Sequence, residues 1–191
     1  MQAKTSDKLL DAAEFRMRRG GYNAVSFRDL ASDINIKSSS VHYHFPTKEV
    51  LAVALVERYS ERFFELLKSE ADGAKTPEEV LKAYSATCEK ALVVDKAVCL
   101  CIVLGAEMPG LPQLLQDSVR RFFDANIDWV ERALPNTYPD ALRNRKARAF
   151  VAAHQGAIVM AIGLGDLEIF RGISEDSLRG VLPSKPNIEA L

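Results

Sequence analysis

Between residues 37 and 48 the chain reads KSSSVHYHFPTK. Ser38, Ser39 and Ser40 are small and can donate or accept hydrogen bonds, so a backbone carrying them can come close to a partner. His42, Tyr43 and His44 carry polar tips on flat bodies. Lys37 and Lys48 place a cation at each end. This set suits a polyanion, with the lysines and the polar tips on phosphates and the serines on whatever lies between them. It does not suit a metal. Two residues apart on a helix puts His42 and His44 about 200° apart, too far round to share one ion. The same geometry is expected to separate Cys99 and Cys101. No Cys-x-x-Cys or His-x-x-x-His pairing supplies a zinc site. A glycine-rich phosphate loop and a Gly-x-Ser-x-Gly elbow are also missing, so neither an enzyme nor a cofactor is expected.

The elements that must position these residues follow from the pattern. Helical periodicity dominates and no run alternates as a strand would, so the expected fold is all-α with about nine helices. Leu9, Leu10, Ala13 and Met17 form one stripe of a helix over about 5–19, closed by Gly20-Gly21. SFRD at 26–29 starts a second helix with Ser26 as its cap and Phe27, Leu30 and Ala31 inward. Asn35 tolerates a left-handed turn. A third helix then spans about 38–44 and stops at Pro46. Thr47 caps a long helix over 47–68 carrying Leu51, Leu55, Tyr59 and Phe63. TPEE at 76–79 is a capping box with proline at the first helical position, opening a helix to about 94. Further helices are expected over about 98–107, 112–134, 139–162 and 168–182, with a frayed tail from 183. Gly163-Leu164-Gly165 closes a helix and does not open one.

Charge divides along the chain. Residues 1–48 hold eight Lys/Arg and five Asp/Glu, a net of +3, whereas residues 49–191 carry a net of −4. A mildly basic head on an acidic body hints at an anionic partner for the head. The first residues lack the apolar run of a signal peptide. The uncharged stretch 149–165 is shorter than the roughly 20 apolar residues of a membrane span and is read as a buried helix. Three cysteines cannot pair completely, so no disulfide framework is expected. A cytoplasmic protein without a membrane partner is the reading.

Two short helices joined by a tight turn, SFRDLASD-INI-KSSSVHYHF, form a helix-turn-helix, whose second helix lies in the DNA major groove. Seven residues at 1.5 Å each make that helix about 10 Å long, one groove width. The run LLDAAEFRMRRGGYNAVSFRDLASDINIKSSSVHYHFPTKEVL resembles the DNA-binding domain of TetR-family transcriptional regulators. Departures lie in the third helix: Asn35 stands where glycine is usual, Lys37-Ser38 reverses the common Ser-Lys, Ser39 replaces a glycine and His42 a tyrosine. FVAAHQGAIVMAI is similar to the penultimate helix of such regulators. The resemblance implies a DNA-binding domain over 1–48 and a helical regulatory and dimerisation domain over 49–191. It also implies a ligand-responsive repressor, working as a homodimer on a palindromic operator of double-stranded DNA and released by a small-molecule effector.

Candidate phosphate contacts are Lys4 and Thr5 at the first helix, and Ser26 and Arg28 on the second. Lys37, Ser38, Ser39 and Ser40 are assigned to bases. His42, Tyr43, His44, Thr47 and Lys48 are assigned to fixing the register. Tyr84, Cys88, Met108, Phe122, Phe123, Asn126, Trp129 and His154 are candidate ligand contacts, because pockets combine apolar walls with a few polar groups. For any single one of them, ordinary core packing is the better explanation. Ala153, Gly156, Ala157, Met160 and Leu164 form a small-residue stripe suited to close approach of a partner helix. Cys88, Cys99 and Cys101 are either small buried hydrophobes or thiols that sense oxidants or electrophiles. Two competing functions keep the same fold. One is a nucleoid or cell-division factor with no effector, and the other is a ligand-binding or enzymatic protein with no sequence-specific DNA affinity.

Overall fold

The structure is a computed structural model that describes residues 4–183. Pro183 is the last described residue of the tail expected to fray, and the remainder of that tail lies outside the described residues. Nine α-helices and no strand occur among the described residues. They are α1 (Thr5–Gly20), α2 (Phe27–Asp33), α3 (Ser38–His44), α4 (Lys48–Glu70), α5 (Pro77–Asp95), α6 (Leu100–Ala106), α7 (Gln113–Ala133), α8 (Asp140–Leu164) and α9 (Leu167–Val181).

The helix boundaries have local causes. Ser26 Oγ accepts the N–H of Asp29 at 3.1 Å and so satisfies one of the four free donors at the start of α2. Asn35 takes φ 55° in the turn between α2 and α3, the left-handed conformation its short polar side chain tolerates. Thr47 Oγ1 accepts the N–H of Val50 at 3.2 Å at the start of α4. The capping box of α5 is complete, with Glu79 N–H on Thr76 Oγ1 at 3.2 Å and Thr76 N–H on Glu79 Oε2 at 3.1 Å. Gly165, at φ 68°, closes α8 as a left-handed cap. The last helix starts one residue earlier than the pattern suggests, because Asp166 caps it by accepting the N–H of Glu168.

The chain divides into two compact units. The first takes the described residues of Met1–Glu65 together with Ala97–Asp124. Its core joins Leu9, Ala13, Met17, Leu30, Val41, Leu51 and Leu55 to Leu100, Leu104 and Leu115, all of them buried. Within this unit α6 adds Leu100 and Leu104 to the core of the N-terminal helices. Polar contacts hold α6 at both ends. Before its first turn, Arg18 of α1 donates to the carbonyls of Ala97 and Val98 at 2.8 and 2.9 Å. After its last turn, Glu107 accepts the N–H of Tyr22 at 2.8 Å. Glu14 in turn meets Arg62 at 2.6 Å, tying α1 to α4. Arg16 binds Asp33 through two parallel contacts at 2.6 and 2.8 Å, tying α1 to the end of α2.

The second unit takes Leu66–Lys96 and the described residues of Ala125–Leu191. Here α8 packs on α9, and both pack on α5. Phe150, Val151, His154, Ala157, Ile158 and Ala161 of α8 are buried. By length and composition α8 passes for a membrane-crossing helix, with a mean hydropathy of 1.4 over its most apolar stretch. Its packing against two helices accounts for that apolarity on one side only. Removing the α5 cap by Thr76→Ala is expected to cost about 1 kcal/mol. A urea titration that shows an unchanged unfolding midpoint would contradict the capping role.

Candidate nucleic-acid interface

Seven residues are too few for a stable isolated helix, so α3 takes its orientation from what it buries. Val41 is fully buried and Phe45 nearly so, in the same core as Leu30 and Ala31 of α2. That anchorage leaves the rest of α3 facing outward. Ser38, Ser39, His42 and Tyr43 are exposed, Ser40 and His44 are half-buried, and Lys37 is exposed at the N-terminal end. Tyr43 is 85 % exposed, an unusual position for a large aromatic side chain. Its ring stands edge-on to His44 with centroids 5.2 Å apart, and His42 stands edge-on to Phe27 at 4.7 Å. These ring contacts restrict the side chains before any partner arrives.

The flanking candidates lie in the same unit. Lys4 and Arg28 are exposed and Thr5 is half-buried. The Ser26 hydroxyl is already engaged, donating to Asp29 Oδ2 at 2.6 Å while capping α2. Thr47 is exposed, and Lys48 at the first position of α4 is half-buried. The Lys48 ammonium lies 4.1 Å over the Tyr22 ring. Burial pulls its pKa below the ordinary lysine value, and the nearby Glu107 carboxylate opposes that fall.

Residues 9–55 match the sequence model of the bacterial regulatory proteins, tetR family. A TetR transcriptional regulator from Legionella pneumophila superimposes with a TM-score of 0.87 at 26% identity, covering 94% of this chain and 98% of that one. A TetR-family regulator from Agrobacterium tumefaciens gives 0.83 at 26% identity, over 93% and 97% of the two chains. The chain has the fold of TetR-family regulators, and residues 9–55 carry the family's N-terminal sequence pattern. The reduced form of NemR from E. coli shares the fold at 18% identity, with a TM-score of 0.80 over 97% of this chain and 100% of that one. No curated protein sequence matches the chain. The fold is that of a DNA-binding regulator, with the helix-turn-helix formed by α2 and α3.

The residues considered for a ligand fall into both units. Met108, Phe122 and Phe123 belong to the first, where Phe122 packs against Tyr59, Phe63 and Phe64. Tyr84, Cys88, Asn126, Trp129 and His154 belong to the second. Among them Tyr84, Asn126 and His154 belong to a buried polar cluster, and the Trp129 ring lies 5.9 Å from that of Tyr84. Tyr84 donates to Asn126 Oδ1 at 2.9 Å. The His154 Nδ1 lies 2.9 Å from the Phe150 carbonyl, which can only accept, so that nitrogen carries the proton. Its Nε2 is then the acceptor, with Ser85 Oγ at 2.8 Å and Ser174 Oγ at 3.2 Å competing to donate. Phe150, Tyr84 and Phe170 enclose the imidazole. Neither serine was among the sequence candidates, because nothing local marks serines 69 and 20 residues away as a histidine's partners.

Cys88, Cys99 and Cys101 are all buried. The expected separation of Cys99 from Cys101 does not occur. Cys99 is the extended N-cap of α6, at φ −52° and ψ 134°, so the helical 200° rule does not apply to the pair. Burial opposes ionisation of Cys99, yet hydrogen bonds from the Cys101 thiol, the Tyr59 hydroxyl and the N–H groups of Ile102 and Cys101 bring it down to about 7. Burial and the neighbouring Cys99 push Cys101 up.

Along α8 the small-residue stripe divides. Gly156, Met160 and Leu164 are exposed and Ala153 is half-buried, whereas Ala157 turns into the unit's own core. Ala149, Ala152, Val159 and Gly163 extend the exposed face.

Burial holds His154 neutral, lowering its pKa from 6.5 to about 4. The unfolded chain binds the proton first as pH falls, so this histidine's contribution is present above pH 6.5 and is lost between about 6.5 and 4. The loss amounts to about 3 kcal/mol over that window. Unfolding titrations of the wild type and His154→Gln should therefore show a stability difference that shrinks on acidification. Parallel pH profiles for the two proteins would contradict it.

Proposed function

We propose that this protein is a transcriptional repressor that binds a palindromic operator as a homodimer and leaves it when a small molecule binds. The observation that carries this reading is the outward face of α3. Serine, histidine and tyrosine side chains stand there between Lys37 and Lys48, on a head that matches the TetR family. In this reading Lys37 and Ser38 to Ser40 face base edges. His42, Tyr43, His44, Thr47 and Lys48 fix the register on phosphates, with Lys4, Thr5, Ser26 and Arg28 contacting the flanking backbone. Residues 1–48 carry the DNA contacts, and 49–191 carry effector binding and dimerisation.

A palindrome demands a two-fold protein, and the exposed apolar face of α8 supports one. Val159, Met160 and Leu164 are 43%, 50% and 68% exposed, beside glycines that let another helix approach closely. Effector binding is supported by the cluster around His154, where polar groups with fixed donor and acceptor roles sit within aromatic walls. A ligand there acts only through its differential affinity for the DNA-bound and the released protein. The repressor works in the cytoplasm and catalyses nothing.

Lys48→Ala is expected to weaken binding to every duplex alike and to lower the slope of log K against log salt by about one unit. An unchanged slope, with loss confined to one sequence, would overturn its phosphate role. Ser39→Ala should instead change which operator bases are preferred. A base preference identical to that of the wild type would remove Ser39 from the reading surface.

A further inference from the structure

The turn between α1 and α2 carries a contact that the DNA reading does not use. Gly21 ends α1 at φ 74° and ψ −172°, a conformation open to glycine and strained for other residues. It also lies directly against Glu107, and a β-carbon at this position would overlap the carboxylate. The missing side chain at Gly21 leaves room for that carboxylate. The carboxylate comes in over the glycine and accepts the Tyr22 N–H at 2.8 Å. Tyr22, so held, presents its ring to the Lys48 ammonium at 4.1 Å. The charge of Glu107 also favours the protonated lysine, against the burial that disfavours it.

All four groups belong to the same compact unit, although Glu107 is 85 residues from Tyr22 in sequence. Glu107 itself is the residue after the last turn of α6, and its carbonyl accepts the Gly110 N–H at 2.8 Å. Its backbone is thus fixed by the structure around it, and its side chain is a short arm from α6 to the corner of the head. Lys48 has a long flexible stem and would otherwise lose rotamer freedom on meeting a phosphate. A ring beneath the ammonium and a carboxylate nearby confine it beforehand.

We propose that Glu107 is a positioning residue for DNA binding, which fixes the Gly21-Tyr22 corner and through it the Lys48 ammonium that meets a phosphate. It does not itself touch DNA. The proposal rests on the reading of Lys48 as a phosphate contact, and a double-mutant cycle tests it. The full-length protein, Glu107→Ala, Lys48→Ala and the double variant would each be titrated with a short random-sequence duplex at several salt concentrations. Thermal unfolding would be followed in parallel. Glu107→Ala is expected to weaken binding severalfold and to lower the salt slope, and the double variant should bind no worse than Lys48→Ala alone. Glu107→Gln keeps an oxygen for the Tyr22 N–H and should recover most of the loss.

A merely structural role would lower the unfolding temperature while leaving duplex binding by the folded protein unchanged, and that result overturns the proposal. Full additivity of the two single losses overturns it as well. If Glu107→Ala fails to fold, Glu107→Asp keeps the charge but falls short of the Tyr22 N–H. It should still lose affinity in a way that Lys48→Ala abolishes, and wild-type binding by this variant would again sink the idea. A wild type that binds no duplex at all would remove the DNA reading and this inference together. Wild-type binding with indifferent Glu107 variants removes only the inference.

Discussion

A helix of seven residues cannot hold its own geometry in water, and everything proposed for α3 depends on the two side chains that seat it. Val41 and Phe45, four residues apart, occupy one face and disappear into the core of the first unit. What remains of the helix is then turned outward as a set, three serines followed by His42, Tyr43 and His44. The apolar anchors set the direction, and the polar residues supply the chemistry. Large-to-small replacement of Val41 would therefore disturb recognition without removing a single polar group.

That core extends beyond the helix-turn-helix. Leu100 and Leu104 of α6 share it with α1, α2 and α4, and charged groups fasten α6 where its apolar face runs out. Arg18 satisfies two carbonyls ahead of the helix and Glu107 takes a backbone N–H after it. The buried charge of Arg18 is tolerable there because it has specific partners. The Arg18 guanidinium is matched by Glu14 as well as by the carbonyls. In the second unit the buried polar groups are neutral instead. His154 is held uncharged between a carbonyl and two hydroxyls, which lets it sit among Phe150, Phe170 and Tyr84.

How much of this was legible in the sequence depended on range. Ser26, Asn35, Pro46, Thr76 and Gly165 act on their immediate neighbours, so the helices they bound were readable from the residues alone. The composition of the recognition face was readable for the same reason, since a seven-residue helix is a local object. The contacts of Arg18 with Val98, Glu107 with Tyr22 and His154 with Ser85 join residues 69 to 85 positions apart, and no spacing rule reaches that far. Cys99 and Cys101 show the opposite failure, a local rule used where the residue was not helical. The α8 stripe was legible as a stripe but not in its rotation, which turns Ala157 inward and Gly156 outward. That rotation is set by packing against α5 and α9.

Sequence-specific binding by a two-fold protein is the central claim, and selection of the purified full-length protein against a random duplex pool tests it most directly. Run at two salt concentrations, the selection should enrich one palindrome with half-sites about 34–36 Å apart, one turn of the duplex. The preference should persist as salt rises, while the overall affinity falls. Salt-sensitive binding with no shared sequence would contradict an operator-binding repressor and leave a general DNA organiser. Recovery of nothing above background at either salt would contradict DNA recognition by α3 altogether.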